Sequence, residues 1–454
     1  MLQKLVALSL LVLLSAPRQA AGQADLILVG ATVLTGSSPQ SSRDAIALAD
    51  DRIRAVGPAD EIRRLAGPNT RIIDLAGRSV IPGLIDAHVH LLVAPSTIID
   101  ESSLRNYERV SLPKVLTGFI SHGITTVRST ADPLPYITQL RDRLDQGELI
   151  GPRLVVTGPT PSSPGGHPAI TVCRNNPFCR QGAVREIENE DQAQKVVGEL
   201  VLANVNAVKV TIDNSIGSVR DVPILSDAVL AALVENTHRS GRRIIAHVLT
   251  DPTTTERIAK IGFDEFVHMP VILNPGESSR VAALFAERKM AVTTTLSIWD
   301  AYKDANNGDR LVWGMPYNPG MRRSFEAAIA TTKAFSDAGV SLVIGTDWIE
   351  DSDYARQGDV RLNDARLLPG SRTLHEMELL RNRVGLSPAA VLTAATRNAA
   401  EALGIIDSVG TIATGKLADL VILDGDLLQD FSAIRRMVAV LKGGRVVSGA
   451  LPTR

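Results

Sequence analysis

The stretch Ser79-Val-Ile-Pro-Gly-Leu-Ile-Asp-Ala-His-Val-His-Leu91 sets the frame for the rest of the chain. Read as a strand, its period of two sends His88 and His90 to one side while Ala87 and Val89 face the other. Two imidazoles then converge at the end of a rigid element, a geometry that suits a metal ion such as Zn²⁺. A bare His-x-His is equally compatible with two partly buried structural histidines, so the surrounding pattern has to decide.

Outward from this stretch the sequence alternates. Short apolar segments near 80–90, 124–128, 153–157, 206–211, 243–247, 264–268, 291–295 and 341–346 are separated by runs of helical periodicity. Such a succession of strand and helix units predicts an α/β protein whose middle closes into a (β/α)8 TIM barrel. Helix-end signals support the reading: Ser387-Pro388 starts a helix that runs to Gly404, and Thr373-Leu-His-Glu376 has the form of a capping box.

The two ends of the chain have a different character. Strand-like segments at Leu26 to Leu34, Ala45 to Leu48, Arg52 to Val56 and Arg71 to Asp74 precede the barrel. Ala418 to Leu423, Met437 to Leu441 and Arg445 to Val447 follow it, with Gly443-Gly444 as a hairpin turn. One small β-sandwich domain assembled from 25–79 and 408–454, with the barrel (80–407) inserted, accounts for both.

In a barrel of this kind the chemistry sits at the C-terminal mouth, so the polar residues that close each apolar segment matter most. The first segment closes with His88 and His90, the fourth contains Lys209, and the fifth ends in His247. The sixth ends in His268 and the eighth in Asp347. Each alone is ordinarily a satisfied polar group, but six ligand-type residues at the matching ends of five strands point to a metal centre.

Composition limits the partners. The 454 residues carry 48 Lys+Arg against 49 Asp+Glu, which leaves no basic excess for nucleic acid or anionic lipid, and a small molecule is the expected partner. Met1 to about Ala24 (1–24) reads as an export signal, with Lys4 before the apolar run Leu5 to Ala16 and small residues near Ala20-Ala21-Gly22. That run is too short to span a bilayer, so stable membrane insertion is not expected and the mature protein should be periplasmic or secreted. The two cysteines, Cys173 and Cys179, flank an Asn-Pro turn and fit a disulfide better than free thiols or zinc ligands.

Four motifs together resemble the amidohydrolase superfamily, in the branch of imidazolonepropionase-like hydrolases and metal-dependent Xaa-Pro dipeptidases. They are Val80-Ile-Pro-Gly-Leu-Ile-Asp-Ala-His-Val-His90, Gly123-Ile-Thr-Thr-Val-Arg128, Ile344-Gly-Thr-Asp347 and Gly410-Thr-Ile-Ala-Thr-Gly-Lys-Leu-Ala-Asp-Leu420. The resemblance implies two divalent metal ions, zinc first among the candidates. His88, His90 and Asp347 would hold one and His247 and His268 the other, with Lys209 bridging them as a CO₂-derived carbamate. It also implies hydrolysis of an amide bond by metal-activated water, with Asp347 as the catalytic proton carrier. Dipeptides, N-acyl amino acids and cyclic amides are the candidate substrates. Ester, lactone or phosphotriester hydrolysis, deamination and a binding scaffold are the alternatives, and homo-oligomers are common in the family.

Three further residues are candidates for substrate contact. His167 lies in the long Gly-Pro-rich loop after the third segment. Arg128 ends the second and would meet either a substrate carboxylate or an internal acid. Thr211 shares the inward face of Lys209. His375 is placed near the mouth to support Asp347, Trp299 and Trp313 are candidates for an apolar wall, and His122 and His238 fit helix C-termini.

Overall fold

The computed structural model describes residues 23–36, 44–94, 97–214, 221–248, 251–303, 311–312, 315–316, 321–350 and 368–452. Residues 1–22, most of the export signal expected over 1–24, and Trp313 lie outside the described residues. Eight parallel strands form the barrel: β1 (Leu84–His90), β2 (Ile124–Ser129), β3 (Arg153–Val156), β4 (Ala207–Thr211), β5 (Arg243–His247), β6 (Glu265–Val267), β7 (Ala291–Thr293) and β8 (Ser341–Val343). The ladders run β1 to β3 and β4 to β8. Backbone bonds join the two runs at both seams: Asn206 donates to the Val156 carbonyl (2.8 Å), Ala87 to that of Ile344 (2.9 Å) and Asp347 to that of His88 (2.8 Å). This is the (β/α)8 barrel expected from the alternating pattern.

The close approach of β8 to β1 depends on Gly345. A Cβ there would lie 2.3 Å from the Thr293 side chain and 2.9 Å from His88 Cβ, so only glycine lets the chain bring Asp347 beside His88. The helix expected from Ser387 to Gly404 is broken into Pro388–Ala394 and Arg397–Ala402. The break frees two carbonyls for the barrel floor, where Ala395 accepts from Ile85 (2.8 Å) and Ala394 from Ile344 (3.1 Å).

The chain ends build two sheets over one apolar core. One contains Arg52–Gly57, Ala45–Ala49, Ala24–Val29 and Ala66–Asp74; the other contains Thr32–Val33, Arg78–Pro82, Leu420–Asp424, Met437–Lys442 and Arg445–Gly449. Leu26, Ile46 and Leu48 pack with Val80, Leu420 and Leu441 between them. The single strand expected from Leu26 to Leu34 is divided at Gly30 (φ 75°), where the chain crosses from one sheet to the other. Cys173 and Cys179 form the expected disulfide beside Val93 and Ala183.

Tertiary partners overturn one local expectation and decide between two alternatives for another residue. The helix containing Thr373 starts at Ser371 with Gly370 as its cap, so Thr373 and Glu376 form no capping box. Thr373 instead donates to Asp86 Oδ2 (2.7 Å), and Glu376 accepts from Leu296 N (2.8 Å), Ser297 N and Thr294 Oγ1 (both 2.5 Å). Arg128 does not reach toward a substrate. It is 1% exposed, donates through both terminal nitrogens to Glu265 (2.8 and 2.5 Å) and through Nε to the Ala87 carbonyl (2.8 Å).

This buried fork crosses the barrel interior from β2 to β6, so removing one partner leaves an uncompensated charge. Arg128→Ala should lower stability by about 3–5 kcal/mol in denaturant unfolding. The double variant Arg128→Met/Glu265→Leu should recover most of that loss. Equal destabilisation of the two variants would show that packing volume rather than the unpaired carboxylate sets the cost.

Candidate metal centre

Strand periodicity places the ligand-type residues. His88 and His90 share one face of β1, Lys209 lies inward on β4, and His247 closes β5. His268 and Asp347 sit just beyond the ends of β6 and β8, both with left-handed backbone (φ 75° and 53°). Such conformations are strained for residues with a side chain and gather at functional sites. Edge-on ring contacts link His90 to His88 (5.1 Å), His88 to His268 (5.2 Å) and His268 to His247 (4.2 Å). All six expected ligands are therefore in one constellation.

Their hydrogen bonds assign the tautomers. His90 Nδ1 lies 2.7 Å from the Thr130 carbonyl, which can only accept, so that nitrogen carries the proton. Nε2 is turned to the other side, where it faces Asp347 Oδ1 at 3.0 Å. His247 Nε2 lies 2.6 Å from the Asp213 carboxylate, and its Nδ1 stands 3.0 Å from His268 Nε2. His88 Nε2 adds a second approach to Asp347 Oδ1, at 2.9 Å. Two imidazoles on one carboxylate oxygen, with two more ring nitrogens paired beside them, are the nitrogen and oxygen donors that a divalent cation takes.

The geometry fits that reading. One donor atom each from His88, His90 and Asp347 lies within 4.8 Å of the others. Ligands on a tetrahedral ion with bonds of about 2.0–2.2 Å stand about 3.4 Å apart, close to the observed spacing. Burial, joined by the Lys209 charge for His88 and the His268 charge for His247, holds both rings well below the usual imidazole range; burial takes His268 down to about 3. Neutral rings are the ligating form. Burial works against ionisation of Asp347, yet the His268 charge and the hydrogen bonds from His88 and His90 outweigh it and keep the carboxyl well below its usual range. Burial also lowers the Lys209 amine to about 8; its Nζ lies 3.2 Å from His88 Nε2 and 3.5 Å from Thr130 Oγ1.

The candidate substrate residues divide. His167 stacks on His247 with ring centres 4.8 Å apart, held by Thr171 Oγ1 (2.5 Å from Nδ1). Thr211 is buried against Thr160, their hydroxyls 2.9 Å apart, while Arg128 is committed to Glu265. His375 does not support Asp347; it pairs with Asp300 (2.8 Å) on the neighbouring helix. His122 caps its helix through the Gly118 carbonyl (2.8 Å), and His238 meets Asp264 (3.0 Å).

The residues that sequence reasoning missed stand one step away in the same period-two phase. Asp86 precedes His88 by two and binds its backbone N–H (3.2 Å) together with Thr346 N (3.1 Å) and Thr346 Oγ1 (2.8 Å). Burial raises its carboxyl to about 6. Asp213 follows Lys209 and Thr211 by the same phase, and Thr295 follows Thr293. The alternation that flagged the ligands also points to these partners.

The sequence pattern of the amidohydrolase family matches residues 79–447. The imidazolonepropionase of Symbiobacterium thermophilum is 28% identical over 428 residues, 88% of this chain and 91% of its own. The ochratoxinase of Aspergillus niger is 23% identical over 397 residues, covering 82% of this chain and 76% of its own. A solved prolidase complexed with N-methylphosphonate-L-proline superposes with a TM-score of 0.74 at 22% identity, over 94% of this chain and all of that one, and shares the fold. With the match spanning both the barrel and the last strands, the chain belongs to the amidohydrolase family of metal-dependent hydrolases acting on carbon–nitrogen bonds.

Proposed function

We propose that this chain is an exported, binuclear amidohydrolase that cleaves an amide bond in a small substrate such as a dipeptide, an N-acyl amino acid or a cyclic amide. The observation that supports the reading is the set of converging nitrogen and carboxylate donors at the mouth. His90 Nε2 and His88 Nε2 converge on Asp347 Oδ1, and His247 Nδ1 faces His268 Nε2. The first group would hold one ion and the second another. Zinc suits imidazole and carboxylate ligands.

Lys209 sits between the two groups. Its amine, lowered to about 8, is neutral in about a tenth of molecules near pH 7, and the neutral amine is the form that condenses with CO₂. The resulting carbamate would replace an ammonium beside two cations with an anion able to bridge them. Divalent ions bound here supply Lewis acidity, polarising a carbonyl oxygen and lowering the pKa of water.

The chain's own groups do the rest. Asp347, anchored to β1 by its backbone bond to His88, takes the proton of the attacking water and delivers it to the leaving nitrogen. With metal bound, the Thr130 carbonyl would keep the His90 proton on the far side of its ring, and the neighbouring Asp213 carboxylate would favour the same arrangement at His247. His167, buried beside His247, would contact a substrate held at the mouth. Export rests on the N-terminal apolar run and accords with the disulfide.

Asp347→Asn should reduce kcat by about 10²–10⁴-fold while much of the metal remains, measured by turnover beside metal analysis. Full activity in that variant rejects the proton role. Release of amino groups from a panel of dipeptides, N-acyl amino acids and cyclic amides, with Zn²⁺ and bicarbonate present, tests the reaction itself. Activity should depend on bicarbonate and be lost in Lys209→Ala; equal activity with and without bicarbonate would remove the carbamate from the account.

A further inference from the structure

Thr295 is fully buried two residues beyond β7, with φ 49°. A β-branched residue in left-handed backbone is a true outlier, and such strain persists only where the surroundings over-determine it. They do so here. On one side Thr294 donates from its backbone to Val343 (3.1 Å) and from its hydroxyl to Glu376 (2.5 Å). On the other, Leu296 N and Ser297 N donate to the same carboxylate, at 2.8 and 2.5 Å. Held at both flanks, the Thr295 hydroxyl lies 2.8 Å from His268 Nδ1.

We propose that Thr295 is a positioning residue for the second metal ion: its hydroxyl accepts the Nδ1 proton of His268 and so leaves Nε2 as the ligand atom facing His247. This rests on the metal-centre reading above. Glycine or asparagine would occupy this backbone with less strain, and neither presents a hydroxyl at this point. The hydroxyl has a further property that a carbonyl or carboxylate lacks. It can donate as well as accept, so it satisfies His268 Nδ1 in either tautomer. Without a cation, His268 Nε2–H can donate to the bare His247 Nδ1; with one, the proton resides on Nδ1.

The test compares Zn²⁺ affinity by stepwise chelator competition, and thermal unfolding of the metal-free protein, in the full chain and its Thr295 variants. Thr295→Val keeps the shape and the strain but removes the hydroxyl. It should weaken the more loosely held Zn²⁺ equivalent about 10–100-fold, the usual effect of losing a ligand's outer partner, and leave the other equivalent unchanged. Thr295→Ser should stay within about threefold of wild type for both ions, by retaining that same hydrogen bond. Thr295→Gly should share the affinity loss of the valine variant yet melt above it in the metal-free form, because its backbone accepts this φ. Unchanged affinities in Thr295→Val overturn the proposal. So does a parallel loss of both ions and of melting temperature in all three variants, which marks a merely structural residue. Wild-type protein that takes up no Zn²⁺ at all overturns the metal-centre reading itself, and the proposal with it.

Discussion

Four imidazoles and a carboxylate gathered in one buried space are costly to desolvate, and a bound cation would offset that cost. The mouth of this barrel is organised around that constraint. His90 is held by the Thr130 carbonyl at Nδ1, and the Asp213 carboxylate stands 2.6 Å from His247 Nε2, so both rings present their other nitrogens to the centre. Asp347 cannot retreat, because its backbone is bonded to His88 and Gly345 lets β8 lie against β1. The site is a property of how strands meet rather than of any loop.

Charges deeper in the barrel serve that arrangement. Asp86 binds the backbone of His88 and Thr346 with one carboxylate and also receives the Thr373 hydroxyl. It therefore ties β1, the end of β8 and the following helix at a single point beneath two ligands. Glu376 does the same for the turn after β7, and the Arg128–Glu265 fork spans the layer below. Burying these groups is costly unless each is hydrogen-bonded, and the structure supplies those bonds. The cost is borne where a displacement of less than 1 Å would disturb a ligand, in keeping with the tolerance of preorganised sites.

The sequence carried the fold and the ligands in the same signal. A period of two within apolar segments marked the strands, and polar residues at their ends marked the mouth, so the placement of the candidate ligands His88, His90, Lys209, His247, His268 and Asp347 was legible without structure. Their supports were less so, for separable reasons. Glu265 lies 137 positions from Arg128, and nothing local pairs them. Thr373 and Glu376 imitate a capping box because side chains suited to capping are also suited to distant backbone groups. Gly30 looked like part of one strand because a turn between two sheets needs only a positive φ, which composition does not distinguish from a strand glycine. His167 and Thr211 are held by contacts that arise only in the folded chain.

X-ray diffraction from crystals treated with Zn²⁺ and bicarbonate, recorded on both sides of the zinc absorption edge, tests the central claim most directly. The account predicts two anomalous peaks. One should lie within about 2.0–2.2 Å of His88, His90 and Asp347 and the other within the same distance of His247 and His268, with density continuous from Lys209 Nζ to both. A single peak beside an unmodified Lys209 would contradict the binuclear centre. No peak at these residues would contradict the metal site altogether.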